Sequence, residues 1–203
     1  MTAYKWHVFD CDGVLIDTNG IKSRAFYEAA LPYGQEAAQA LVAYHQTAGS
    51  IGRDARWRYF FSEILHVRPL EGEFDACMKL SSQLIREGTQ AAALLPGVRE
   101  YLEGIGPERC IVVSGIEQHE LNGILEAHDL RRHFSDAWGG PRTKPVLLRD
   151  LLCSREITLP SLYYGDTEDD LLSARNAGLD FIWVRGCSEW SGVRTIEDFR
   201  EMA

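Results

Sequence analysis

The chain has 203 residues, 45% of them hydrophobic and 25% charged, with a formal net charge of −9. That length and balance suit a soluble globular chain that buries a core without covalent staples, as one domain or one domain carrying a sizeable insertion. The acidic balance excludes general nucleic-acid binding, which relies on basic surface to neutralise phosphates, but leaves room for a small anionic substrate met by a few local cations.

Five cysteines, Cys11, Cys77, Cys110, Cys153 and Cys187, are scattered, odd in number and without a CxxC pair. Reduced, packed thiols are expected rather than a disulfide framework or a zinc site. The start, MTAYKWHVFDCDG, carries no apolar secretion segment, and no run approaches the ~18 apolar residues of a membrane helix. A cytoplasmic protein without membrane contact is the expectation.

In chain order, residues 4–9 are apolar and aromatic and then stop at two acids, which predicts a buried strand ending in a functional turn. From Ile21 to Leu95 apolar residues recur at three- and four-residue steps, through SRAFYEAALPYG, EAAQALVAYHQTA, DARWRYFFSEILHV and EFDACMKLSSQLIREGTQAAALL. That spacing predicts a run of helices with no strand. Pro96-Gly97 closes it, and VREYLEGI reads as a short helix stopped by Gly104, Gly106 and Pro107. Strands and helices then alternate: CIVVSG, EQHELNGILEAHDL, SDAWGG, PVLLRDLLC, SLYYGD, DDLLSARNAG and DFIWVRG.

Such alternation implies an α/β fold, a Rossmann-like parallel sheet with helices on both faces. Residues 1–17 and 96–203 form the core, and residues 18–95 form an α-helical cap inserted after the first strand. Ligands of these sheets bind beyond the carboxyl ends of the strands. The polar residues just past those ends are Asp10, Asp12, Ser114 and Asp166, with Lys144 in the loop after SDAWGG. Two carboxylates 4 Å apart at an effective dielectric of 20 repel by roughly 4 kcal/mol. A hard divalent cation relieves that repulsion, and magnesium often combines one or two carboxylates with substrate phosphate. A carboxylate is also a nucleophile for phosphoryl transfer.

VFDCDGVLID resembles the first motif of the haloacid dehalogenase superfamily, CIVVSG the second, Lys144 in PRTKP the third and YYGDTEDDLLSARNAG the fourth. The four fall in order and span almost the whole chain. The resemblance is to the phosphatase branch with a helical cap, of the phosphoglycolate phosphatase and beta-phosphoglucomutase type. It implies that Asp10 attacks phosphorus to give an aspartyl-phosphate and that Asp12 protonates the leaving group, then activates water. Ser114, Gly115 and Lys144 would bind the phosphoryl group. Magnesium would sit on Asp10, Asp166 and the backbone carbonyl of Asp12. Asp170 would support the metal or orient Lys144, with adjacent Asp169 as the alternative. An acid at position 12 disfavours dehalogenation, in which halide leaves without a proton.

GVLIDTNGIKSRAFYEA resembles the start of such a cap, with Lys22 where many relatives carry a histidine; that departure disfavours a mutase. Arg53 falls where related caps place a substrate-contacting arginine, and Lys22 is a second candidate contact. Arg56 and Arg58 read as a solvated or salt-bridged face. Trp57, Tyr59, Phe60 and Phe61 read as cap core, and Cys11, turned away by strand alternation, as packing. Asp166 also fits a helix N-cap. The expected function is hydrolysis of a small phosphate monoester, such as a sugar phosphate or another phosphorylated metabolite, by a monomer or homodimer. The alternatives are a phosphosugar mutase and a non-catalytic binding module.

Overall fold

The computed structural model describes residues 4–18, 20–48, 51–185 and 192–202; Cys187 lies outside them. Strand β1 spans Trp6–Phe9. It begins two residues later than its apolar pattern, because pairing with its neighbour starts at Trp6 opposite Ser161.

The chain divides into two compact units, Met1–Asp17 with Ala92–Ala203, and Thr18–Ala91. Among the described residues of the second unit, the regular elements are all helical. The unit contains α1 (Ile21–Ala30), α2 (Gln35–Thr47), α3 (Arg53–Tyr59), a π-helical turn over Phe60–Ile64 and α4 (Glu73–Ala91). Its core gathers Phe26, Ala29, Ala30, Leu41, Trp57, Phe60, Phe61 and Cys77. These lie on the apolar stripes of the helices, which is why the three- and four-residue spacing reads correctly. The indole N–H of Trp57 is satisfied by Ser81 Oγ at 3.0 Å, so this large side chain is fully buried at no polar cost.

The first unit continues with α5 (Val98–Ile105), β2 (Cys110–Glu117), α6 (Gln118–Ala127), β3 (Asp136–Gly140), α7 (Lys144–Ser154), β4 (Ser161–Gly165), α8 (Glu168–Ala177), β5 (Asp180–Val184) and β6 (Arg194–Ile196). The strands form one sheet in the order β3-β2-β1-β4-β5-β6, parallel at every pairing. The three-residue β6 escaped the sequence reading; a strand that short carries no periodic signal.

Successive strand residues face opposite sides. Phe9, Val112 and Tyr164 pack with Leu102 of α5 and Leu121 and Leu125 of α6. Val8, Ile111, Val113 and Tyr163 pack with Leu147, Leu148 and Leu151 of α7 and Ala174 of α8. The sheet is thus buried on both faces, as parallel sheets require, and its strands read as continuous apolar runs. Among the described residues no helix is long and apolar enough to cross a membrane.

Candidate active site

Asp10 follows β1 directly. Its N–H donates to the carbonyl of Tyr164 at 2.9 Å, so the backbone is still tied to β4 where the side chain leaves the sheet. β1 lies between β2 and β4, where the strand order reverses and the crevice beyond the strand ends opens.

The chain then turns sharply. The N–H groups of Leu15 and Ile16 both donate to the carbonyl of Cys11, and that of Gly13 to Ile16. Gly13 has φ +73°, and a Cβ there would fall 2.0 Å from Asp166 Oδ2. Only glycine allows both the left-handed backbone and the approach of that carboxylate. Cys11 is fully buried in the core, and half-buried Asp12 stands beyond it.

Lys144 is the centre of the arrangement. Its Nζ lies 2.9 Å from Asp10 Oδ2 and 2.6 Å from Asp170 Oδ1. It is not a loop residue, as the sequence suggests, but the first residue of α7, behind the extended Thr143 and ahead of Pro145. Proline suits that first turn, where its missing N–H has no partner to lose.

Asp170 is wholly buried. Its Oδ1 accepts from Lys144 and from the Tyr163 hydroxyl at 3.0 Å; its Oδ2 accepts from Thr167 Oγ1 at 2.5 Å and Thr167 N at 3.3 Å. Thr167, not Asp166, is therefore the N-cap of α8, in a capping box closed by Asp170. That frees the Asp166 side chain from a capping role. Asp169 is exposed on the same helical turn, so of the adjacent pair it is Asp170 that enters the cluster. Ser114 is buried on β2, and its Oγ accepts from Ile116 N at 3.3 Å. The register between β2 and β3 shifts between Val113 and Glu117, so the chain is irregular at Ser114 and Gly115. A Cβ at Gly115 would stand 4.0 Å from Lys144 Cε.

Burial raises the Asp10 carboxyl above the usual range; Lys144 opposes this, and the charges of Asp170 and Asp12 add to it. Asp166 is raised by burial and then by Asp10 and Asp170. Burial would lower the Lys144 ammonium, but Asp10 and Asp170 outweigh it and hold the group above the usual lysine value. The site is a largely buried, net-negative cluster in which the Lys144 ammonium lies against Asp10 and Asp170.

Oxygen atoms of Asp10, Asp166 and Asp170 all lie within 4.8 Å of one another. Asp10 Oδ1 is buried without a hydrogen-bond partner. Crowded carboxylates, with the proton affinity of Asp10 and Asp166 raised and one Asp10 oxygen buried and unsatisfied, fit a hard divalent cation. Asp170 already accepts from four donors, about the capacity of a carboxylate. Asp10 and Asp166 are the members with room for a metal.

Lys22 and Arg53 belong to the helical unit. Lys22 is exposed on α1, and half-buried Arg53 donates from Nη1 to Ser82 Oγ at 2.6 Å. Arg56 departs from its expected solvated face: it is 8% exposed, lies over the Phe26 ring and donates to the carbonyl of Ile51. Its apolar stem and ring contact favour burial once the guanidinium has acceptors. Exposed Arg58 does pair across one turn, 3.8 Å from Asp54.

Sequence reasoning missed Thr167 and Tyr163. The pattern Thr-x-x-Asp ahead of an apolar helix was the available signal for Thr167. Tyr163 gave none, since an aromatic inside a strand reads as core.

Residues 7–184 match the family model of the haloacid dehalogenase-like hydrolases. The chain belongs to the haloacid dehalogenase-like hydrolase family. The phosphoglycolate phosphatase of Vibrio parahaemolyticus is 27% identical over 190 residues, covering 84% of this chain and 78% of that one. Among solved structures, a predicted phosphoglycolate phosphatase from Haemophilus somnus superposes with a TM-score of 0.77 at 21% identity, over 100% of this chain and 97% of the other. The hydrolase YfnB from Bacillus subtilis, solved bound to magnesium, gives 0.75 at 16% identity, over 99% and 97%. At such identities these two likenesses establish the haloacid dehalogenase-like fold.

Proposed function

We infer that this hydrolase cleaves a small phosphate monoester with magnesium, through an aspartyl-phosphate on Asp10. Membership of the haloacid dehalogenase-like hydrolases and the likeness to a phosphoglycolate phosphatase support this reading. The observation that carries it is the Asp10 carboxylate itself: buried, held by Lys144 at one oxygen and unpartnered at the other, at the strand-order switch.

Asp10 attacks phosphorus, and the bond from phosphorus to the ester oxygen breaks. Asp12, two residues on and half-buried, gives its proton to the departing oxygen. It then takes a proton from the water that attacks the phosphorus of the aspartyl-phosphate, and inorganic phosphate and free Asp10 are restored. Ser114, the backbone at Gly115 and Lys144 hold the phosphoryl oxygens, with Lys144 also keeping Asp10 ionised and aimed. Asp10, Asp166 and the Asp12 carbonyl would hold magnesium, and Asp170 anchors Lys144. Bound there, magnesium would supply positive charge against the phosphoryl oxygens. Arg53 and Lys22 are assigned to the substrate's non-reacting part. The Vibrio relative's name makes phosphoglycolate one candidate beside sugar phosphates.

The test is phosphate release from sugar phosphates, phosphoglycolate, glycerol phosphates and nucleotides, with magnesium or with chelator, for the wild type and Asp10→Asn. The expected result is release of phosphate from at least one ester, dependent on magnesium and abolished by the substitution. Release that persists in Asp10→Asn overturns the reading.

A further inference from the structure

We propose that Tyr163 is a positioning residue for Lys144, acting through Asp170. The inference rests on the roles given above to Asp10 and Lys144. Tyr163 lies inside β4, fully buried, its ring stacked 6.0 Å from Phe181 at an interplanar angle of 12°. A packing role accounts for the ring. It does not account for the hydroxyl, which sits 3.0 Å from Asp170 Oδ1 and 3.2 Å from the carbonyl oxygen of Val113. A phenol has one hydrogen, and the carboxylate is the stronger acceptor.

Asp170 Oδ1 is the oxygen that Lys144 Nζ contacts at 2.6 Å. Its partner Oδ2 is occupied by the hydroxyl and backbone N–H of Thr167. With Tyr163 in place, Oδ1 has a second donor beside Lys144. The ammonium then shares its remaining hydrogens with Asp10 Oδ2 at 2.9 Å. Without the phenol, Oδ1 becomes a one-donor buried carboxylate oxygen with more uncompensated charge, and the Lys144 ammonium, already in contact with it, turns its hydrogens towards it. That draws the ammonium off Asp10. The three donors from Tyr163 and Thr167 thus fix Asp170, and Asp170 fixes how Lys144 is held.

Tyr163→Phe removes only the hydroxyl and keeps the ring. With a small aryl phosphate and saturating magnesium, kcat/KM is expected to fall about 10-fold, the scale of a hydrogen bond to a charged group. In an Asp170→Ala background the same substitution is expected to change it less than about 2-fold, because the acceptor that joins the phenol to Lys144 is gone. A crystal structure of Tyr163→Phe should show the Lys144–Asp10 separation lengthened. Phe181→Leu, which removes the stacking partner but no hydrogen bond, should lower the melting temperature while leaving kcat/KM near wild type. Equal losses in both backgrounds, an unchanged Lys144–Asp10 distance, or full activity in Tyr163→Phe each overturn the proposal. A wild type without phosphate release would instead sink the reading of the site itself.

Discussion

Asp10 and Asp12 are separated by one residue and given opposite environments. Asp10 is buried against Lys144, while Asp12 is half-buried within the turn that follows. That difference suits one carboxylate to attack and the other to exchange protons with an entering or leaving oxygen. Asp12→Asn is expected to lower kcat by about 10² to 10⁴ for an alkyl phosphate, the usual span for a general acid or base. The loss should be smaller for an aryl phosphate, whose leaving group needs less help from an acid. Steady-state rates with the two esters check this, and equal losses would remove Asp12 from the leaving-group step. At this scale the sequence was informative because the chemistry concentrates just past apolar strands. Asp10, Ser114 and Asp166 each follow or end a hydrophobic run. Tyr163 was illegible for the converse reason: its function lies in one hydroxyl on a residue whose ring belongs to the core.

Three local devices carry these side chains. The turn after β1 needs the left-handed Gly13, α7 starts on Lys144, and α8 is capped by the reciprocal Thr167–Asp170 bonds. Gly13→Ala meets both a positive φ and a Cβ position 2.0 Å from Asp166 Oδ2. The backbone component alone costs about 1–2 kcal/mol. The variant is expected to unfold at lower denaturant and to need far more magnesium for half-maximal activity. Chemical denaturation with magnesium titration checks this, and unchanged magnesium dependence would contradict the placement of Asp166. The strand and helix succession was legible because each core strand is a short apolar run and each helix has a stripe. What escaped was non-periodic: the π-helical turn over Phe60–Ile64, the short β6, and the start of α7 one residue ahead of Pro145.

The whole molecule comprises a parallel-sheet unit that holds the acids and a helical unit that carries Arg53 and Lys22, the two residues assigned above to the substrate's non-reacting part. The placement of the sheet unit's acids could be read because they sit at strand ends. The helical unit's substrate preference could not, because its distinctive side chains, such as buried Arg56, are set by packing. Concentrating negative charge in one site has a consequence for stability. Asp10 and Asp166 are raised above the usual 3.8, so the folded protein keeps protons that the unfolded chain releases. Without metal, stability from these groups falls as pH rises above that value. A bound cation replaces those protons, so the gain in melting temperature on adding magnesium should grow from pH 5 to pH 8. At a hundredfold excess over Kd the gain is about 2.7 kcal/mol. His7 and His45, both lowered to about 4 chiefly by burial, give the opposite slope below 6.5, so the difference with and without magnesium is the quantity to compare. A gain that is flat or shrinks with pH would contradict a metal on these carboxylates. The central claim is that phosphorus is bonded to Asp10 during turnover. Acid quench of the enzyme turning over a small aryl phosphate with magnesium, borohydride reduction and peptide mass spectrometry measure it directly. The account predicts homoserine at position 10 alone, absent when magnesium is withheld; an unmodified Asp10 in an actively hydrolysing sample, or reduction at another carboxylate, would contradict it.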